Sequence, residues 1–269
     1  MEEHCLTDID FERFRKLIYE RSGICLNTEK RELLQARLIK RLQEKGLKSF
    51  KDYYQYVVND KNEIIYLIDS VSTNVSGFFR EFSHFEFLKD YILPEIFFKK
   101  KHIYIWCAGC ATGEEPYSLA ILLLENMKDY RFKNIKILAT DISTKALETA
   151  KMGIYEEEKV KNIPLPLLKR YFQKGIRKWD GYYRVKHFVK DMVIFKWSNL
   201  MDYCSFERPF DIIFCRNVMI YFDKKARQRL IEYLYRCLSK GGYLFIGHSE
   251  NLLNLDHKFR YIKPAIYKK

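Results

Sequence analysis

The chain has 269 residues, 48% hydrophobic and 16% aromatic, enough to bury a substantial core in one or two domains. No run reaches the roughly 18 uninterrupted apolar residues of a membrane span, and the start, Met1-Glu2-Glu3-His4, is acidic where a secretory signal is basic, so the sequence reads as cytoplasmic with no membrane insertion. A formal charge of +13 points to a polyanionic partner, and seven scattered cysteines, an odd number in a long chain, read as reduced thiols outside any disulfide framework.

From residue 7 to residue 98 the signals are helical. Asp8 or Asp10 is positioned to cap a first helix running through Tyr19, with Gly23 at its end. Asn27 or Thr28 is positioned to cap a second, in which Leu34, Leu38, Ile39 and Leu42 share one side while Lys30, Arg37, Lys40 and Arg41 share the other, and Gly46 stops it. Glu32 and Glu44 are the only acids between Lys30 and Lys51, so this basic face reads as nearly unpaired and as a docking surface. Residues 50–58 and 63–71 predict two further helices, which together with a linker make an all-helical N-terminal domain over residues 1–83. The linker carries Asn74, Ser76 and Arg80 to the edge of the next domain, and the Arg80 fork suits a ligand carboxylate.

Residues 84–269 read as an α/β domain. A helix ending near Phe98 leads to a strand over 103–107, then to a loop holding Gly109 and Gly113, then through Pro116 into a helical pattern. Such a junction lies at the carboxyl end of a strand, where glycines let the backbone approach a ligand. A triphosphate loop would continue with Lys and Ser/Thr, but Gly113 is followed by Glu114 and Glu115, which repel phosphates and suit a ligand with positive charge, an amine or hydroxyls, such as S-adenosylmethionine. Cys107 and Cys110 form a CxxC with no second pair to complete a zinc site, so no metal is expected.

Strands over 135–140, 193–197, 210–215 and 243–247, with helices over 143–151 and 224–238, predict a doubly wound parallel sheet. Asp141 ends the second strand, where an acid accepts hydrogen bonds from ribose hydroxyls or caps the following helix. Between about 165 and 192 the turn signals Gly175 and Asp180-Gly181 separate short aromatic runs, predicting a small antiparallel β insertion that exposes Trp179, Tyr182 and Tyr183 beside Arg177, Lys178 and Arg184. After the strand at 210–215, Arg216, Asn217 and Tyr221 fall beside the crevice of Gly109 and Asp141; His248 follows the last strand, where a lone histidine is more often structural.

Four stretches in order, residues 73–81, 108–118, 214–223 and 247–251, resemble the CheR family of chemoreceptor glutamate methyltransferases, over nearly the whole chain. The resemblance implies a helical domain, a class I S-adenosylmethionine-binding (Rossmann-like) domain and a small β-subdomain. It also implies cofactor contacts at Asn74, Ser76, Arg80, Glu115, Asp141, Asn199, Leu200, Arg216 and Asn217, beside the loop glycine Gly109. Ser76 stands where the family commonly has threonine, Gly77 where it has alanine, and the insertion matches least. The implied reaction gives a glutamate methyl ester and S-adenosylhomocysteine. An ionised glutamate needs no general base, so positioning dominates, with Tyr221 orienting the carboxylate or flanking the methyl group and Arg216 supporting the site. The implied partners are glutamate-rich cytoplasmic helices of transmembrane chemoreceptors, docked on Lys30, Arg37, Lys40 and Arg41, with a receptor C-terminal tail at the β-subdomain and recruitment to membrane receptor arrays. A nucleic-acid methyltransferase shares the cofactor site and the charge, but no Asn-Pro-Pro-Tyr-type motif or Pro-Cys nucleophile is present, so no nucleic-acid partner is expected. A non-catalytic module that binds the cofactor beside receptors is the other alternative.

Overall fold

The computed structural model describes residues 5–126 and 134–269, apart from the side chains of residues 61, 97 and 99; the acidic opening of residues 1–4 lies outside them. Helix α1 (Asp8–Ser22) starts at Thr7, whose hydroxyl accepts the Asp10 N–H at 3.1 Å, so the cap is the threonine rather than either aspartate. Gly23 closes it at φ 74°, its N–H bonded to the Tyr19 carbonyl. A 3-10 turn (Thr28–Lys30) leads into α2 (Arg31–Lys45), and Ser49 and Asp60 cap α3 (Phe50–Asn59) and α4 (Lys61–Val71). After residues 72–81 the chain forms a continuous helical element of three parts: α5 (Phe82–Phe87), a π turn (Leu88–Ile92) and α6 (Leu93–Lys99). The helix that the sequence pattern ends near Phe98 thus contains a π turn, followed by Pro94, which has no N–H to donate, in the first turn of α6.

The remaining elements in chain order are β1 (His102–Ala108), α7 (Glu114–Asn126), β2 (Asn134–Asp141), α8 (Thr144–Met152), β3 (Ile154–Glu156), α9 (Glu157–Val160), α10 (Leu165–Tyr171) and β4 (Phe172–Lys174). There follow β5 (Tyr182–Val185), α11 (His187–Lys190), β6 (Val193–Trp197), β7 (Phe210–Cys215), α12 (Lys224–Cys237), β8 (Leu238–Ile246), β9 (Arg260–Lys263) and β10 (Ile266–Lys268). The main sheet has the order β6-β2-β1-β7-β8-β10-β9. Its first five strands are parallel, as the alternating pattern predicts. β10 runs antiparallel to β8 and β9, a closing hairpin that the sequence reading lacks. A second, antiparallel sheet of order β3-β5-β4 starts at Ile154, ahead of the 165–192 segment, because a three-residue strand shows no readable alternation.

The period-two geometry of the central strands divides the interior into two cores. Ile103, Ile105 and Cys107 of β1, with Ile212 and Phe214 of β7, face the side covered by α5, α6 and α7. Trp106 and Ala108, with Ile213 and Cys215, face the other side, where Phe14, Leu34 and Tyr53 of the N-terminal helices pack with Leu230 and Leu234 of α12. The helical domain and one sheet face therefore share a single core. Polar links reinforce this seam: the Tyr19 hydroxyl donates to Asp223 at 2.7 Å, Ile24 forms an antiparallel bridge with Phe222, and Asp69 accepts the Thr144 N–H at 2.8 Å. Among the described residues no helix is long and apolar enough to cross a membrane.

Candidate active site

At the carboxyl end of β1 the chain turns back on β2, with the Gly109 and Cys110 N–H groups both donating to the Thr140 carbonyl at 2.8 and 3.0 Å. Gly109 has φ 90°, and a Cβ there would sit 2.4 Å from Val218 Cγ2; the glycine is required by the neighbouring loop as much as by any ligand. The two carboxylates that follow diverge. Glu114 is fully buried and accepts the Thr112 hydroxyl at 2.6 Å, whereas Glu115 lines a cavity of about 250 Å3 at the seam. Only Glu115 can therefore set the charge preference read from the pair.

Asp141 forms another wall. Its Oδ2 accepts the Ala111 N–H and its Oδ1 the Ser143 N–H, both at 2.8 Å. Ser143, whose hydroxyl accepts the Ala146 N–H, is the cap of α8. Backbone donation fixes the Asp141 carboxylate while its remaining lone pairs stay available toward the cavity, as a vicinal diol requires. Burial raises the Asp141 carboxyl above its usual range, against the pull of these N–H groups.

Residues 72–81 cross the cavity as a strap. Asn74 Nδ2 donates to Ser143 Oγ at 3.2 Å, the Phe79 N–H donates to Ser118 Oγ at 2.9 Å, and Lys159 Nζ donates to the Ser76 carbonyl at 3.2 Å. Arg80 is exposed at the rim with one Nη on the Val75 carbonyl, leaving other N–H groups of its fork to meet a carboxylate. Phe79, Glu81, Ala111 and Asn217 all take left-handed backbone conformations (φ 53°, 57°, 45° and 58°). Four non-glycine residues in this region around one cavity each cost on the order of 1 kcal/mol, a concentration of strain expected at a binding site.

The base of the cavity is charged. Arg216, buried at the end of β7, contacts Glu115 Oε2 at 2.8 Å and Glu81 Oε2 at 3.1 Å, and also donates to the Arg80 carbonyl. Burial pushes the Glu115 carboxyl upward despite Arg216; at Glu81 burial acts in the same direction, but the charge and hydrogen bond of Arg216 outweigh it and hold the group low. Asn217, Asn199, Leu200 and Tyr221 complete the lining. The Asn199 amide is largely committed to structure: it donates to the Arg21 carbonyl at 2.7 Å and to Asp202 at 3.0 Å, tying the loop after β6 to the end of α1. Sequence reasoning assigned no role to Glu250, whose carboxylate accepts N–H groups from Gly247, Asn217 and Met219 at 2.6, 2.9 and 2.7 Å and so sets the turn that carries Tyr221. The signal was there as an acid three residues beyond a strand-end glycine.

The basic helix needs correction. Arg41 belongs to no free face: its guanidinium grips Glu63 with Nε–Oε1 2.6 Å and Nη2–Oε2 2.8 Å, reaches Glu44 at 2.7 Å, and lies 3.7 Å above the Tyr66 ring. Glu63 comes from α4, so α2 alone could not reveal the pair. Lys30 lies 5.2 Å over the ring of Tyr221, at the mouth of the cavity. Arg37 and Lys40 are exposed, and neither makes an ion pair among the described residues. In the insertion, Trp179 is exposed but Tyr183 is buried in the small sheet, with its hydroxyl 3.3 Å from Glu157. Cys107 and Cys110 are buried, and burial drives both thiols well above their ordinary range, unlike a reactive CxxC.

A five-stranded parallel sheet closed by an antiparallel hairpin, with Glu115 in the first turn of α7 and Asp141 at the end of β2 lining one cavity, has the form of a class I S-adenosylmethionine-dependent methyltransferase. The comparisons with known proteins narrow the class. Residues 9–72 match the CheR methyltransferase all-alpha domain and residues 74–267 the CheR methyltransferase SAM binding domain. The chain is 42% identical to a chemotaxis protein methyltransferase of Borreliella burgdorferi, over 98% of this chain and 95% of that protein. It is 37% identical to one from Escherichia coli, over 99% and 92%, and 36% identical to chemotaxis protein methyltransferase 2 of Pseudomonas aeruginosa, over 99% and 95%. The chain belongs to the CheR methyltransferase family, and S-adenosylmethionine is its cofactor.

Proposed function

We propose that this methyltransferase esterifies glutamate side chains on the cytoplasmic helices of chemoreceptors, working in the cytoplasm and recruited to receptor arrays. The reading rests chiefly on the makeup of the cavity. No histidine or lysine lines it among the described residues, and its two carboxylates are engaged, Glu115 by Arg216 and Asp141 by backbone N–H groups. A site so built suits a nucleophile that arrives ionised, as glutamate does at neutral pH. S-adenosylmethionine supplies an electrophilic methyl group on a sulfonium when bound. We assign Asp141 to its ribose diol, Glu115 to its amine and Arg80 to its carboxylate; these residues line the cavity together with Asn74, Ser76, Gly109, Asn199, Leu200 and Asn217. Tyr221 orients the substrate carboxylate, supported by Arg216 from below.

The position of α2 supports the choice of partner. Lys30, in the 3-10 turn that leads into α2, lies over Tyr221, and Arg37 and Lys40 follow on α2, so an acidic receptor helix lying on them would present a glutamate at the cavity mouth. The exposed Trp179 with Arg177 and Lys178 is the surface we assign to a receptor tail. The test is transfer from tritiated cofactor to chemoreceptor membranes and, in parallel, to RNA, with mass mapping of base-labile methyl esters. Label in receptor glutamates is expected. Label in RNA, or tight cofactor binding with no transfer, would overturn the assignment.

A further inference from the structure

The residue that joins the parts of the site is Glu81, which does not line the cavity. Its carboxylate meets groups from three segments: Arg216 at 3.1 Å and Asn217 Nδ2 at 3.4 Å after β7, the His248 N–H at 3.2 Å after β8, and, one turn along its own helix, His84 Nδ1 at 3.5 Å. It achieves this from a left-handed backbone position at the end of the strap. Arg216 is thereby held between two carboxylates, Glu81 on one side and Glu115 on the other.

Glu81, His84 and His248 also present three ligand-type atoms within 4.8 Å of one another, and the buried His84 ring has no hydrogen-bond partner at either nitrogen among the described residues. A metal ion there is disfavoured, because the Arg216 guanidinium already occupies the shared Glu81 oxygen and would repel a second cation. The cation of this cluster is Arg216 itself.

We propose that Glu81 is a positioning residue for the cofactor: it fixes Arg216, and through Arg216 the Glu115 carboxylate, while fastening the strap that carries Asn74, Ser76 and Arg80 to the loops after β7 and β8. The inference rests on the reading of the cavity as the S-adenosylmethionine pocket. Without the Glu81 charge, Arg216 has one carboxylate instead of two and the strap loses its distal anchor, so the amine and carboxylate contacts of the cofactor lose their alignment together. Among the described residues no partner of the Glu81 carboxylate comes from α2, the helix assigned to receptor docking.

The experiment compares wild type, Glu81→Gln and Glu81→Asp by calorimetric titration with S-adenosylhomocysteine, by thermal melting without ligand, and by the KM values for cofactor and for receptor. Expected are at least a tenfold rise in the dissociation constant and in the cofactor KM for Glu81→Gln, a receptor KM that changes severalfold less than the cofactor KM, a ligand-free melting temperature close to wild type, and partial recovery in Glu81→Asp. Wild-type affinity in Glu81→Gln would overturn the positioning role and leave the pocket standing. Equal weakening in both variants in step with a lowered melting temperature would also overturn it, in favour of a purely structural role. Failure of the wild type itself to bind would remove the pocket reading and this proposal with it.

Discussion

Arg41→Ala tests whether the basic helix is one surface or two kinds of residue. Glu63 is 2% exposed and takes the Arg41 fork at 2.6 and 2.8 Å, the Tyr53 hydroxyl at 2.8 Å and Lys45 at 3.4 Å. Removing Arg41 leaves a buried carboxylate with one neutral donor and one longer ion pair. Breaking a buried pair from one side costs about 3–5 kcal/mol, and the remaining Lys45 argues for the lower end, about 3 kcal/mol. For a chain of this size that is a fall of roughly 6–12 °C in melting temperature. Arg37→Glu and Lys40→Glu, at exposed positions, should change stability by less than about 0.5 kcal/mol yet reduce receptor methylation most strongly at low salt. Calorimetry on the three variants, paired with initial rates at two ionic strengths, separates the cases. An Arg41→Ala protein that melts within about 2 °C of wild type and loses methylation in the same salt-dependent way as Arg37→Glu would refute the division.

Tyr221→Phe should slow methyl transfer by about tenfold or more through lost orientation, with S-adenosylhomocysteine affinity unchanged in calorimetry. Asp141→Asn replaces a charged acceptor with a neutral one and should weaken cofactor binding by roughly 10–100-fold in the same assay. His84 has its pKa lowered to about 3 by burial and then by Arg216 and His248, whereas in the unfolded chain it titrates near about 6.5. Between those values the unfolded state binds a proton that the folded state refuses, so stability falls as pH drops below about 6.5. The contribution approaches about 1.4 kcal/mol per pH unit, or about 2 kcal/mol at pH 5; urea melts should show the wild type losing about 2 kcal/mol more than His84→Leu as pH falls from 7 to 5. Thiol labelling of the native protein should modify Cys5, Cys25 and Cys204 first and leave Cys107, Cys110 and Cys215 unreacted until unfolding.

What was legible in the sequence depended on the range of the interactions involved. The strand, glycine loop and helix around Gly109 are written in adjacent residues, and so is the alternation that builds the parallel sheet. The closing hairpin is not, because β9 has four residues and β10 three, too few to show a period. Site residues could be gathered from strand ends because an open α/β sheet brings strand ends together, and Asn74, Ser76, Arg80, Gly109, Glu115, Asp141, Asn199, Leu200, Arg216, Asn217 and Tyr221 all line one cavity. Partnerships are harder to read than positions. Arg41 looks free until α4 supplies Glu63, Glu115 looks like a twin of Glu114 until the loop points them apart, and Glu81 and Glu250 are unremarkable acids until folding brings backbone donors to them.

The shared core also sets an order of events during synthesis. Ile24 pairs with Phe222 and Tyr19 with Asp223, so the edge of the helical domain at the end of α1 waits for partners encoded near the other end of the chain. At 5–20 residues per second the interval is roughly 10–40 s. Throughout it the nascent helices can pack on one another, Phe14 against Tyr53 and Tyr54, while Ile24 and Tyr19 stand without Phe222 and Asp223. Severing the gene between the two family domains would make that interval permanent.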